Sequence, residues 1–522
     1  MDFVRKRTIY SILASHATEK PDTQWLTFVR EDGKTFEWTF GEFLKSVHQT
    51  VGLLLKLGIG PGDVFNIHLP NHPAYVQLIV AASALGAVAM PTNPKSTVEE
   101  LKYLLEHSES KLVFTDGEAL DRVKEAGKLP VVICDTIGKL PEGYLIYEEE
   151  LARCPSHALP EQGDSETLLQ LLYTSGTTSR PKGVMLTNAN FIYGAEVFRK
   201  ATGLRGDDHH IIPLPLFHAA AQCHALWPSL MAGCRVTLLA RFSASRFFAQ
   251  ATQYRVTMAA LFGAPLRMLL NQPEGAADRT HKLRNITFAQ SMAADDYVEW
   301  NRRFGAPLQH LWGMTETCSL PIMSPLTTER NLAAMGKPVE GYEVKVIDEA
   351  GNKTKVGETG QLIVRGTSGH SLMCGYLKNP EATAKTMRAV NGEIWLYSGD
   401  AVREDEEGFF YFVDRGNDMI RRNGENISGL EVEGIIAQLE GVQDVCVVGL
   451  PDPVRDEIVV AAIVPKPDSK VTAEEIQRHC AVHLISHKVP EHVAFITEMP
   501  RTSVGKIQKN IVRELLKKER TS

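Results

Sequence analysis

The strongest constraint on the fold of this chain is a regular exchange of two hydrophobic periods. Thr39-Phe-Gly-Glu42 is a capping box, and Phe43, Val47, Val51 and Leu54 then mark one helical face that Gly58 closes. Short apolar runs alternate with helical patterns after it. Asp63-Val-Phe-Asn-Ile-His-Leu69, Lys111-Leu-Val-Phe-Thr115 and Val131-Val-Ile-Cys134 read as strands. Strands separated by helices must pair in parallel, with helices covering both faces of the sheet. After about Gly336 the texture changes. Tyr342-Glu-Val-Lys-Val-Ile347, Gly360-Gln-Leu-Ile-Val-Arg365 and Gly408-Phe-Phe-Tyr-Phe-Val413 alternate with glycine-containing turns, which predicts an antiparallel sheet or small barrel. From Gly424 a separate α+β unit is expected, with helices near 430–439, 473–482 and 508–518 and strands near 445–449 and 459–464. Gly and Asn in Arg415-Gly-Asn-Asp418 give the backbone freedom to separate two domains, 1–415 and 416–522. The expected class is α/β: a large N-terminal domain of parallel sheets with flanking helices and a small β-barrel-like subdomain, then a small α+β C-terminal domain.

With 522 residues the chain can hold several domains' worth of core. Its formal net charge of −7 gives no electrostatic pull toward nucleic acid or anionic lipid. The basic stretch 513–520 is interleaved with Leu515 and Leu516 and reads as the last turns of a surface helix. Eight scattered cysteines form no CxxC pair, so neither a zinc ribbon nor a disulfide scaffold is indicated, and a reducing cytoplasm fits. The N-terminus is not followed by an apolar signal core. Residues 74–90 carry no charge, but their small residues, Gln77 and Gly86 favour a buried helix and strand over a membrane span, which needs about 20 mostly apolar residues.

Five segments carry chemistry. Tyr173-Thr-Ser-Gly-Thr-Thr-Ser-Arg-Pro-Lys-Gly183 concentrates hydroxyls, backbone N–H donors and positive charge, which suits a polyphosphate. It is not a Walker A loop, since Pro181 stands five positions after Gly176. A strand, Leu169-Gln-Leu-Leu-Tyr173, precedes it, and a helix begins at Asn188. In Leu311-Trp-Gly-Met-Thr-Glu-Thr317, Trp312 can stack on a purine, Thr315 can donate to a phosphate and Glu316 can hold a hard cation; the same residues also read as a buried strand end. Asp400, after Tyr397-Ser-Gly at the end of the strand Glu393-Ile-Trp-Leu-Tyr397, can accept from two ribose hydroxyls or simply occupy a turn. Tyr411-Phe-Val-Asp-Arg415 is the fourth. Pro500-Arg-Thr-Ser-Val-Gly-Lys506 ends in a lysine that, read alone, is a solvated charge. His479, His483 and His487 would share one helical face, but without an acidic or Cys ligand they read as a surface helix.

Taken in order, these segments resemble the motifs of the adenylate-forming superfamily, which includes acyl-CoA synthetases, peptide-synthetase adenylation domains and luciferases. The resemblance runs from about Thr39 to Lys506. It implies that Thr174, Ser175, Gly176, Thr177, Thr178 and Lys182 surround the phosphates of ATP, with Trp312 and Thr315 also at the nucleotide. Trp312 stands where relatives carry Tyr. Glu316 would bind Mg2+, Asp400 the ribose, and Arg415 ribose and phosphate. Asn417 would be the hinge of a mobile C-terminal domain, at a position where relatives carry Asp or Lys. Lys506 would be the adenylation lysine, reaching the carboxylate and the α-phosphate; relatives with this Pro-x4-Gly-Lys spacing are often acetylated there, so a lysine acetyltransferase is an expected partner. His218, in Pro213-Leu-Pro-Leu-Phe-His218, would close the carboxylate site, with Lys506, His218 and Thr315 as the catalytic set. Phe217, Phe262, Gly263 and Met292 are acyl-pocket candidates, although the family's Gly-Gly-Ala segment is not recognisable near Ala289-Gln-Ser-Met-Ala293. Arg422, Asn423 and Gly424 fall where relatives line the CoA tunnel.

The resemblance implies an acyl-CoA synthetase working in two steps. Carboxylate and Mg·ATP give acyl-adenylate and pyrophosphate; the C-terminal domain then rotates and CoA displaces AMP. His218 is followed by Ala219, Ala220 and Ala221, without the Asp that holds an α-amino group in peptide-synthetase domains, which argues for a plain acyl substrate. Thr178-Ser-Arg-Pro-Lys182 and the stretch from Phe412 to Ser428 are similar to bacterial carnitine/crotonobetaine-CoA ligases. A short or medium neutral carboxylate fits equally well. Transfer to a carrier protein instead of CoA, luciferase-like oxidation, and a non-catalytic nucleotide-binding protein are the rivals, and the sequence is compatible with a homo-oligomer.

Overall fold

In the computed structural model, the Thr39 capping box forms as the sequence requires. Thr39 Oγ1 accepts the Glu42 N–H at 3.2 Å, and Glu42 Oε2 accepts the Thr39 N–H at 2.9 Å. The helix Phe40–Lys56 follows. The structure describes residues 3–521 apart from 135–142, 158–160, 175–180, 290, 291, 293, 327–330, 332, 416, 417, 423, 424, 453–455 and 502–506; side chains of 415, 421, 425, 426, 520 and 521 are also outside the description. The chain divides into two compact units. The larger holds 1–174, 181–343 and 364–396, and the smaller holds 175–180, 344–363 and 397–522.

Two sheets build the larger unit. One has the order Gly375–Tyr376, Lys182–Thr187, Leu168–Thr174, Val88–Pro91, Val64–His68, Val113–Thr115, Val131–Ile133, Leu145–Ile146. The other runs Lys337–Pro338, Ser319–Met323, Leu308–Met314, Asn285–Ala289, Met258–Phe262, His209–Ile212, Arg235–Leu239, Gln24–Val29, Thr35–Thr39. Both have the expected parallel centre, but antiparallel strands close one edge of the first and both edges of the second. The strand Lys182–Thr187 is one of these, between the Ser/Thr-rich loop and the helix Asn188–Thr202. Every residue of the helix Pro73–Leu85 is buried, which explains why it carries no charge. It belongs to an apolar cluster that draws Phe65 and Ile67 from the first sheet and Leu26, Phe28, Val236 and Leu238 from the second. Among the described residues no helix is long and apolar enough to cross a membrane.

A half-buried ion pair links the starts of two strands of the second sheet, His209–Ile212 and Asn285–Ala289, across the start of Met258–Phe262 between them. Arg284 donates from Nε and Nη2 to the two carboxylate oxygens of Asp208, at 2.8 and 2.5 Å. Burial alone would raise the Asp208 carboxyl. Bonds from Arg284, Thr257 and the Arg205 N–H outweigh burial and hold it below its ordinary value. A depressed carboxylate stabilises the fold above its unfolded pKa, and that contribution fades as pH falls through the folded value. Arg284→Met is therefore expected to cost about 2–3 kcal/mol at neutral pH and much less only well below pH 3.8, the ordinary Asp value, where the paired carboxyl itself protonates. Urea titrations at the two pH values measure this, and equal losses at both would refute it.

A further five-stranded sheet orders Glu343–Ile347, Thr359–Gly366, Glu393–Glu404 and Met387–Val390, with Phe410–Arg415 also against Glu393–Glu404. The strand expected to stop at Tyr397 continues for 12 residues in all, carrying Asp400 within it. The α+β region has the order Glu425–Ile427, Ile420–Arg422, Asp456–Pro465, Val442–Asp452, with His492–Phe495 against Asp456–Pro465 and the helices Gly429–Ile436, Ala473–His483 and Lys509–Thr521. The three-histidine face does not form. The helix ends at His483, and His487 lies in the separate turn Ser486–Lys488.

Candidate active site

The Ser/Thr-rich loop connects an antiparallel hairpin. Thr174 ends one strand, Lys182 begins the next, and the two are register partners. Directly opposed residues share a face of the ladder, so the hairpin sets a hydroxyl and an ammonium side by side at the mouth of the loop. Tyr103 anchors the far end by donating to the Pro181 carbonyl at 3.1 Å. Ser175, Gly176, Thr177 and Thr178 lie outside the described residues.

The second segment also has a local cause. Leu308–Met314 is a strand, and Thr315–Thr317 is one tight helical turn. Gly313 is required because a Cβ there would meet the Ser319 carbonyl oxygen at 2.2 Å. The Thr317 hydroxyl closes the turn, accepting the Met314 N–H at 3.2 Å and lying 2.9 Å from the carbonyls of Met314 and Ser319. Glu316 is buried, and its main chain is tied down by the Met373 N–H at 2.8 Å. Its carboxylate accepts the Tyr376 hydroxyl at 2.7 Å. Burial, and then the Glu316 charge, push the Tyr376 phenol far above its ordinary value, so it stays protonated and donates. Lys182 Nζ lies 4.8 Å from the centre of the same ring. Tyr376 thus joins the loop lysine to the carboxylate. Sequence reasoning passed it over; Gly375-Tyr376 just ahead of the Asn379-capped, Pro380-led helix was the available signal. Trp312 is 7% exposed, so little of its ring is open to a ligand. Thr315 is half-buried.

The donor set fits a magnesium ion that travels with a nucleotide. Mg2+ is commonly held by one or two carboxylates plus substrate phosphates. Glu316 supplies one carboxylate, and no cluster of three His, Cys, Asp or Glu gathers among the described residues.

His218 precedes the short helix Ala219–Ala221, and its ring centre is 4.3 Å from that of Phe217. Phe262 ends the strand Met258–Phe262, and Gly263 begins the next helix. Phe217 and Phe262 pack against the same apolar cluster, whereas Met292 packs against a different one.

In the smaller unit Asp400 is 8% exposed, and its N–H donates to Ser398 Oγ at 3.0 Å. Gly399, at φ +78°, provides the irregular backbone just before it. Arg415 is the register partner of Asp400. The Arg422 guanidinium is engaged internally, donating to the His487 carbonyl at 2.7 Å and pairing with Glu491. Asn417, Asn423, Gly424 and Lys506 lie outside the described residues.

Residues 13–377 match the model of the AMP-binding enzyme family, and 431–506 that of the AMP-binding enzyme C-terminal domain. A crotonobetaine/carnitine–CoA ligase of Salmonella paratyphi A is 31% identical over 520 residues, covering 98% of this chain and 99% of that protein. The Shigella flexneri enzyme of the same name is 32% identical over 489 residues, covering 92% and 94%. The anthranilate CoA ligase AuaEII, solved with anthranoyl-AMP, shares the fold with a TM-score of 0.88 at 24% identity, over 99% and 98% of the two chains. The o-succinylbenzoate CoA synthetase of Bacillus subtilis, solved with its acyl-adenylate, superposes with a TM-score of 0.83 at 26% identity over 98% and 99%.

Proposed function

Because this chain belongs to the AMP-binding enzyme family, we propose the following division of labour among its residues. The protein is an AMP-forming acyl-CoA synthetase, an acid–thiol ligase that uses ATP, Mg2+ and CoA. The observation that carries the residue assignment is the cluster of Lys182, Tyr376 and Glu316 at the mouth of the hairpin loop. Lys182, Thr174 and residues Ser175, Gly176, Thr177 and Thr178 bind the phosphates. Glu316 holds the magnesium ion, which neutralises phosphate charge, and Tyr376 fixes the carboxylate that holds it. Trp312 and Thr315 border the nucleotide, and Asp400 and Arg415 bind its ribose.

The acid's carboxylate oxygen attacks the α-phosphorus, the P–O bond to pyrophosphate breaks, and Lys506 offsets the approach of the two anions. The resulting mixed anhydride is a better electrophile than the acid. The CoA thiol then forms the thioester, losing its proton to solvent, and AMP leaves. The C-terminal domain, taken as 416–522, turns about Asn417 between the two steps so that one pocket serves both. Asn423 and Gly424 meet CoA, and Arg422 holds that segment in place. Acetylation of Lys506 would remove its charge and silence the first step. A cytoplasmic location belongs to the same reading and suits eight free thiols.

His218, Phe217, Phe262, Gly263 and Met292 receive the acyl group, which we take to be a short or medium carboxylate. A carnitine-like acid is the second reading. The half-buried aromatic rings of Phe217 and Phe262 favour it, since an aromatic face attracts a trimethylammonium group. Pyrophosphate release is to be measured with Mg·ATP and acetate, butyrate, octanoate, benzoate, carnitine or crotonobetaine, with and without CoA. The expected result is release from one class of acid, accelerated by CoA, with acyl-CoA appearing. Release from none of the six acids would refute the substrate reading.

A further inference from the structure

Two buried side-chain amides, Asn71 and Gln222, converge on the backbone just ahead of Phe217 and His218, and a third, Gln170, braces Gln222. Asn71 Nδ2 donates to the Leu214 carbonyl at 3.0 Å and to the Leu239 carbonyl at 2.9 Å, and its Oδ1 accepts the Leu216 N–H at 2.8 Å. Gln222 Nε2 donates to the Leu216 carbonyl at 2.8 Å. Leu216 is thus held from both sides, and the His218 N–H closes a turn onto the Pro215 carbonyl at 3.1 Å. Gln222 also forms a reciprocal amide pair with Gln170: Gln170 Nε2 donates to Gln222 Oε1 at 2.8 Å, and Gln222 Nε2 donates to Gln170 Oε1 at 3.1 Å. Trp227 Nε1 completes Gln222 Oε1 at 3.1 Å. Gln170 and Gln222 are 0% exposed and Asn71 is 5% exposed.

Burying amides is costly unless their groups are paired, and apolar side chains fill a core without that demand. These amides direct their bonds to 214–216, to Leu239, to Trp227 and to each other. Two further observations point the same way. Gln222 opens a π-helical turn, Gln222–Leu226, an uncommon geometry that recurs at functional sites. Gln170 sits on Leu168–Thr174, the strand that leads into the phosphate loop.

We infer that Asn71, Gln170 and Gln222 are positioning residues for adenylate formation: they fix Phe217 and His218 relative to the phosphate-loop strand, and so set the approach of the acid to the nucleotide. This rests on the assignment of Phe217 and His218 to the acyl pocket. None of the three touches substrate. Their effect is on geometry, to which attack is steep, with a misplacement of about 1 Å costing on the order of a hundredfold.

The test is acid-dependent ATP–pyrophosphate exchange by the full-length protein, using whichever of the six acids named above the parent turns over fastest. Gln222→Met and Asn71→Ala should each lower kcat/KM for the acid at least tenfold while KM for ATP stays within about twofold. Gln170→Met/Gln222→Met together should be no worse than Gln222→Met, because the pair acts as a unit. Equal losses for acid and ATP, or parental kinetics with only a lower melting temperature, would overturn the inference. Should Gln222→Met fail to fold, Asn71→Ala alone decides by the same two readouts. A parent inactive with all six acids overturns the substrate reading and this inference with it, whereas an active parent with unsplit variants overturns only the positioning role.

Discussion

Lys506→Ala is expected to slow acyl-adenylate formation by about 10²–10³, the usual loss when a single positioned group that stabilises the transition state is removed. The reason is electrostatic. A carboxylate must approach a triphosphate, and charge accumulates on the α-phosphoryl oxygens as the bond forms. A cation brought to that point only for this step offsets both effects. The second half-reaction has no such demand, so thioester formation from a supplied acyl-adenylate should stay within a few fold of the parent. Pyrophosphate release for the first step and acyl-CoA formation for the second separate the two. Equal losses in both, or none in either, would remove Lys506 from its role. The neighbouring Lys509 is a contrasting case. Its Nζ lies 3.0 Å from Glu433 Oε1 in a buried pair, and it donates to the Val447 carbonyl at 3.3 Å. A lysine committed in this way holds its helix in place and cannot travel to a substrate.

The second large effect is expected at Glu316. Glu316→Gln keeps an oxygen that can accept the Tyr376 hydroxyl, so the local fold should survive, but it removes the negative charge that a cation requires. With the Glu316 charge no longer offered to the metal, the loss in kcat/KM for Mg·ATP should be on the order of a hundredfold, and half-saturation should move to higher Mg2+. Tyr376→Phe removes the hydroxyl and leaves the charge, so its loss should be under tenfold. The measurement is the Mg2+ dependence of pyrophosphate release in the three proteins. An unshifted dependence in Glu316→Gln would place the metal elsewhere.

Helices were legible wherever their ends were written in the sequence. Thr39 and Glu42 announced one, and the uncharged stretch after Pro73 announced a buried one. The phosphate-loop strand was equally plain in Leu169-Gln-Leu-Leu-Tyr173. The strand Lys182–Thr187 was hidden because Lys182 and Gly183 open it, and neither is a usual strand residue. Glycine concealed the reach of Glu393–Glu404 for a related reason. Gly399 reads as a turn, yet here it adjusts the backbone inside the strand. Glu316 could be picked out because Leu311-Trp-Gly-Met-Thr-Glu-Thr317 resembles a motif of the superfamily; read alone, the segment is equally a buried strand end. Tyr376 could not, since its partner is 60 residues away in sequence. The amides of Asn71, Gln170 and Gln222 were invisible for the same reason. A glutamine in a strand is an ordinary residue until its partner across the core is known.

The helix Pro73–Leu85 has no face suited to water. During synthesis it leaves the ribosome long before its final covering is complete, because that covering includes Leu172, Val184, Ile212 and Leu238. At roughly 5–20 residues per second, an apolar rod waits on the order of 5–30 s for those strands to arrive. Yield in a host cell should therefore depend less on the stability of the finished enzyme than on how well this one segment is sheltered while the rest of the chain is made.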